Sequence, residues 1–244
     1  MHVRCTMTLI AALATSTVAA QIPEKFDNLQ VLPRDVPRAE LVQRMREFSF
    51  ALGVRCEHCH TEQAEGMPNR YASDALPAKT QARAMLRMVA TINGTLLAQL
   101  PSHASPPVTV ACVTCHRGLA LPKTLQTTLF EVATASGGAA AVMRYRELRK
   151  SDMGSGRYNF GQWEINELAR RLTEAGNTDA AMAMLEVNAE FHPASAEIDV
   201  LLGEMHRTRG ETEKALARYR AALGKDPQHV MAKRRLQELE AKIR

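Results

Sequence analysis

Two short stretches of identical spacing, Cys56-Glu57-His58-Cys59-His60 and Cys112-Val113-Thr114-Cys115-His116, constrain this 244-residue chain more than any other feature in it. Each reads C-x-x-C-H. On one helical turn, thiols three residues apart share a face, and a histidine four residues after the first cysteine lies on that same face. This is the attachment signature of c-type haem, in which the sulfurs form thioethers with the two porphyrin vinyls and the imidazole becomes the proximal iron ligand. The expectation is two covalently bound c-type haems, held by Cys56 with Cys59 and by Cys112 with Cys115, with His60 and His116 on the irons. Two other cysteine chemistries compete. A zinc site would have to span the 52 residues between Cys59 and Cys112, well beyond the usual ligand spacing, and it has no need of a histidine at the same place in both copies. A redox dithiol would need a βαβ context that the sequence lacks.

The N-terminus sets the expected compartment. Arg4 precedes an apolar run from Met7 to Ala14, and Val18-Ala19-Ala20 is a small-residue cleavage site. Residues 1–20 therefore read as a signal peptide, and the mature protein as periplasmic or otherwise exported, soluble or peripherally attached. Its removal takes Cys5 away and leaves four cysteines, the number that two haems use. No other stretch is long and apolar enough to cross a bilayer. The 31 Lys and Arg against 26 Asp and Glu become 30 against 26, a mild excess without the aromatic interleaving of a single-strand nucleic-acid binder. Nucleic acid is not an expected partner.

Periodicity makes the rest helical. Leu41, Val42, Met45, Phe48 and Leu52 fall on one stripe between Arg38 and Gly53, where Gly53 suits a helix C-cap. A second helix is expected from about Ala78 to Leu100, with Ala82, Met85, Val89, Ile92 and Leu96 on one face. The stretches 61–77 and 101–110, rich in Pro, Gly, Ser and Asn, read as loops. Further on, Leu168 and Leu202, Ala169 and Gly203, Gly176 and Gly210, Ala181 and Ala215, and Pro193 and Pro227 are each 34 residues apart. That period resembles tetratricopeptide repeats, with units at about 162–195 and 196–229 and a capping helix from Val230 to Ile243. The chain is thus expected to be all-α: a signal peptide (1–20), a two-haem cytochrome domain with long loops (21–123), a connector with one helix (124–160) and a short helical solenoid (161–244). Ser136-Gly137-Gly138 and Gly154-Ser155-Gly156 are expected to flank the connector helix, which is expected to pack as an extra turn of the stack.

The sixth iron position calls for a soft thioether. Met45, 11 residues before Cys56, and Met85, 27 before Cys112, each lie on an apolar helical stripe, with Met88 a rival to Met85; a methionine so placed can equally be core filling. His58 inside its motif, His103 in a Pro/Ser loop, and His192, His206 and His229 in the repeats read as ordinary histidines. His103 is a lesser candidate for a substitute axial ligand.

Residues 28–119 resemble part of the cytochrome c subunit of photosynthetic reaction centres, through Arg83-Ala84-Met85-Leu86-Arg87-Met88, Ile92-Asn93 and Cys112-Val113-Thr114-Cys115-His116-Arg117-Gly118. The resemblance puts Met85 in the axial place of the second haem and Met45, after Arg44 and before Phe48, in that of the first, with Met88 as packing. It covers one two-haem half of a four-haem subunit. Gln99 stands where that half offers a histidine to a distant haem, and the repeat tail is foreign to the family. The expected function is one-electron transfer by an exported dihaem cytochrome: a carrier rather than a catalyst, working between a redox-protein donor and acceptor, with a membrane electron-transfer complex as a possible partner and the repeats docking a protein. The alternative is a haem enzyme of peroxidase type with one iron position open, which requires Met45 or Met85 to be merely core.

Overall fold

The computed structural model describes residues 25–61, 71–101 and 108–243. The expected signal peptide with Cys5, most of the expected 61–77 and 101–110 loops, and His103 lie outside them. Among the described residues every regular element is helical. No described helix is long and apolar enough to cross a membrane.

The chain divides into two compact units. One comprises residues 1–50 and 54–112, the other Ala51–Gly53 with Val113–Arg244. The second haem motif therefore straddles the division in sequence, with Val113 to His116 in the repeat-bearing unit.

In the first unit, α1 (Arg38–Leu52) is steadied in its first turn by the Glu40–Arg44 pair at 2.7 Å. It ends as the sequence expects. Gly53 takes φ +65°, and the Val54 N–H closes onto the Ser49 carbonyl at 3.1 Å, the six-to-one bond of a Schellman cap. α2 (Pro77–Thr91) begins with proline at its first position and ends earlier than its stripe predicts. The chain passes into a π turn (Ile92–Leu96) and a 3-10 turn (Leu97–Gln99). Asn93 explains the change, because its side chain bonds both polar groups of Val110: Nδ2 donates to the carbonyl and Oδ1 accepts from the N–H, each at 2.8 Å. A side chain committed that way, followed by Gly94, makes a poor continuation of an α-helix. Among the described residues of this unit, Val36 and Leu41 are the buried hydrophobic side chains, whereas Phe50, Met85, Met88, Leu96, Leu100 and Val108 are exposed.

The second unit is packed quite differently. α3 (Cys112–His116) is a single turn; α4 (Leu125–Asp152) follows, capped by the Thr124 hydroxyl accepting from the Thr127 N–H. α4 starts well before the expected connector helix. The helix is broken at Ser136-Gly137-Gly138, where Gly137 takes φ +84° and ψ 172°, outside the helical region, so the expected connector helix does begin there and a further helical segment precedes it. Gly138 is needed for contact, since a Cβ there would lie 2.8 Å from the Ala180 Cα of α6 (Thr178–Phe191). α4 packs on α5 (Gln162–Glu174) and α6, joining the stack as expected, with Leu125, Leu129, Ala133, Ala141 and Tyr145 buried.

The 34-residue period is visible in the backbone. α5, α7 (Ala196–Thr208) and α9 (Val230–Ile243) begin at 162, 196 and 230, and α6 and α8 (Thr212–Lys225) at 178 and 212. Joints repeat in register: Asn177 N–H to Leu172 and Glu211 N–H to His206, then Ser195 N–H to His192 and His229 N–H to Asp226. Gly176 and Gly210 take φ +78° and +73° between the helices of each pair. Small residues sit at the crossings, for a Cβ on Gly203 would come 2.6 Å from the ring of fully buried Tyr219. Each helix packs on the next from α5 to α9.

Candidate cofactor site

The first C-x-x-C-H follows the α1 cap directly. Cys56–His58 forms a 3-10 turn, and the N–H groups of Cys59 and His60 both close onto the Cys56 carbonyl, at 3.2 and 3.0 Å. One turn therefore carries both thiols and the histidine, as the spacing requires. Cys56 is exposed and Cys59 half-buried; burial pushes the Cys59 thiol up, against the opposing charge of Lys79. The His60 ring meets Tyr71 edge-to-face, with centroids 5.2 Å apart and planes at 67°. Lys79 fixes the backbone behind that ring, its ammonium donating to the Tyr71 and Ser73 carbonyls at 2.8 Å each. Asp74 completes the support. It accepts from the buried Arg83 and from Asn28, both at 2.9 Å, and faces Lys79 at 3.2 Å, so these groups hold its carboxyl well below the usual range. The polar cluster ties α2 to Asn28 and to residues 71–74, the segment whose Tyr71 meets the His60 ring.

The second motif is a true α turn. Beyond it, Arg117 at φ +49° and Gly118 at φ +82° are both left-handed, and the Leu119 N–H closes onto the His116 carbonyl at 2.8 Å. This reversal brings the Leu119 carbonyl to 2.8 Å from His116 Nδ1. A carbonyl only accepts, so Nδ1 carries the proton and Nε2 is left as the lone-pair nitrogen, the tautomer a metal ligand needs. The Gly118 N–H donates to the Ala51 carbonyl at 2.8 Å. That approach is close enough that a Cβ on Gly53 would lie 2.1 Å from the Gly118 oxygen.

The methionines expected as axial ligands lie on the expected helices. Met45 is half-buried on α1; Met85 and Met88 are 43% and 45% exposed on α2, one turn apart. His58 is exposed. Sequence reasoning missed Tyr71, Lys79, the Asp74–Arg83 pair and the carbonyl of Leu119. Asn93 and Gly118 lie inside the stretches that carry the family resemblance; Asn-Gly at a helix end and a glycine just past C-x-x-C-H are the signals that mark them.

These residues fit covalent haem. The cysteines form no disulfide and are paired on single turns, the histidines are supported from behind, and the first unit carries large exposed apolar side chains with little core of its own, which an apolar macrocycle would cover. Among the described residues no three His, Cys, Asp or Glu side chains converge as they would around a zinc ion.

A helical chain with two such turns is a c-type cytochrome. It belongs to the family described as the photosynthetic reaction centre cytochrome C subunit, which matches residues 8–161. The match runs beyond the 28–119 resemblance, through α4 to the edge of α5. A curated relative, cytochrome c-554 of Chloroflexus aurantiacus, is 38% identical over 90 residues, which are 36% of this chain and 20% of that protein. The chain thus aligns with only about a fifth of that relative's length.

Proposed function

We propose that this protein is an exported carrier of single electrons holding two c-type haems, one on each C-x-x-C-H turn. Haem supplies the one-electron change at iron. The thiols of Cys56, Cys59, Cys112 and Cys115 would anchor the groups, and His60 and His116 would supply imidazole ligands. Met45 and Met85 would supply thioether ligands, which favour the reduced state. The observation that carries the reading is the Nδ1–H of His116 held by the Leu119 carbonyl, an arrangement with an obvious use at a metal and little value elsewhere on a half-exposed turn. Redox proteins serve as donor and acceptor. The 34-residue units, of tetratricopeptide type, dock a protein partner.

The test is a mass spectrum of the exported protein with visible spectra of both oxidation states. Two covalent haems and the loss of residues 1–20 are expected. Met45→Leu and Met85→Leu should each remove the sulfur-to-iron band of one haem. One haem, or two unaltered bands in both variants, overturns the reading. Removing residues 162–243 would be a poor test of docking, because it strips α4 of the helices that bury Leu129, Ala133 and Tyr145.

A further inference from the structure

The turn that follows α4 is tightly built. Ser155 bonds the Asp152 carbonyl through its N–H at 3.0 Å and its hydroxyl at 2.7 Å, and the Ser155 oxygen accepts from the Arg157 N–H at 3.1 Å. Asp152 is 5% exposed, and one of its oxygens accepts from Arg157 Nη1 at 2.6 Å while the other takes the Ser151 hydroxyl at 2.7 Å. So anchored, the guanidinium lies over Gly118. A Cβ on that glycine would be 3.0 Å from Nη2 and 3.3 Å from Nε. Arg157 Nε is sealed from water without an acceptor, a position the side chain would not choose for its own hydrogen bonding. Gly118 is the middle of the left-handed turn that carries the Leu119 carbonyl to His116.

We propose that Arg157, anchored by buried Asp152 and packed over Gly118, is a positioning residue for His116: it holds the 117–119 turn so that the Leu119 carbonyl keeps its bond from Nδ1–H. The strength of that bond sets how much electron density the imidazole offers an iron, and a stronger bond favours the oxidised metal. The reduction potential of one haem is thereby governed from the end of α4, a helix of the repeat-bearing stack. The proposal rests on His116 being the ligand of the haem at Cys112 and Cys115.

Two neutralising changes separate positioning from charge. Arg157→Gln and Asp152→Asn both loosen the clamp, so both should raise the midpoint potential of that haem, leave the other unchanged, and speed hydrogen exchange at His116 Nδ1 at least tenfold in the reduced protein. A through-space effect gives opposite signs, since one change removes a cation and the other an anion. Opposite shifts, no shift, or equal shifts of both haems overturn the proposal. Should one variant fail to fold, the other still decides, through its exchange rate and through whether one potential rises or neither does. His116→Ala is the control for the underlying assignment. If it leaves both low-spin spectra intact, the ligand reading has failed; if it removes one while the two clamp variants shift nothing, the clamp alone has failed.

Discussion

Gly53→Ala is the substitution whose cost the structure defines best. Gly53 takes φ +65°, and a Cβ there would stand 2.1 Å from the Gly118 oxygen and 2.8 Å from its carbonyl carbon. Backbone, unlike the end of a side chain, cannot swing aside, so the Gly118 peptide must retreat by about an ångström to restore van der Waals contact. The left-handed conformation costs an alanine about 1–2 kcal/mol. Retreat also strains or breaks the 2.8 Å bond from the Gly118 N–H to Ala51, for a further loss of about 1–3 kcal/mol. Gly53→Ala should therefore destabilise by about 2–5 kcal/mol. Gly210→Ala is the matched comparison, because Gly210 has φ +73° but open space where the Cβ would go, so that only the conformational part remains. Urea unfolding of both variants, followed by helical circular dichroism, measures the difference. If Gly53→Ala loses no more than Gly210→Ala, the close approach of the α1 cap to the second motif does not exist in solution.

Gly203→Ala should cost about 1–3 kcal/mol in the same assay, because its Cβ overlaps the ring of fully buried Tyr219; a loss below 0.5 kcal/mol, roughly the effect of a surface change, would contradict that packing. Asp74 carries a pH signature. Its carboxyl is held down first by the hydrogen bond from Arg83, then by Asn28 and Lys79, so the stability it adds is present above the ordinary value of 3.8 and lost as pH falls towards the lowered one. Asp74→Asn should lower the unfolding midpoint at pH 7, with the gap from the parent closing as pH falls below about 4; a gap constant down to pH 3 would refute the linkage. Asn93→Ala removes both bonds to Val110 and should cost about 1–3 kcal/mol, perturbing the visible spectrum of the haem proposed at Cys112 and Cys115 and not that of the one proposed at Cys56 and Cys59; equal effects on both would contradict its local role.

The sequence reading found what depends on neighbours along the chain. The Gly53 cap, the two C-x-x-C-H turns, and the phase of the 34-residue hairpins rest on local geometry and spacing, and they appear where expected. It missed what depends on tertiary contact. The stripe from Ala78 to Leu100 continues through Leu96, yet Asn93 leaves the helix to bond Val110, a partner 17 residues away that no periodicity announces. Ser136-Gly137-Gly138 looks like a loop by propensity. The chain does leave the helical conformation at Gly137, but burial of Leu129 and Ala133 before the break and of Ala141 and Tyr145 after it puts a helical segment on each side in one stack, and Gly138 is there for the approach of Ala180. The supports of the two histidines differ in kind, a ring at His60 and a carbonyl at His116. A carbonyl belongs to every residue and leaves no mark in composition.

The repeating joints of the stack have a consequence for how such a chain can change over time. Helices α5, α7 and α9 open at a fixed step, and the turns between them close through equivalent hydrogen bonds. A copied segment of one whole period, inserted at Pro227, would meet on each side the surface its original already meets. The stack could lengthen like a stair gaining a tread, while an insertion of any other length would rotate every later helix out of place. The length of the stack can thus be altered by duplication without changing any residue of the two C-x-x-C-H turns.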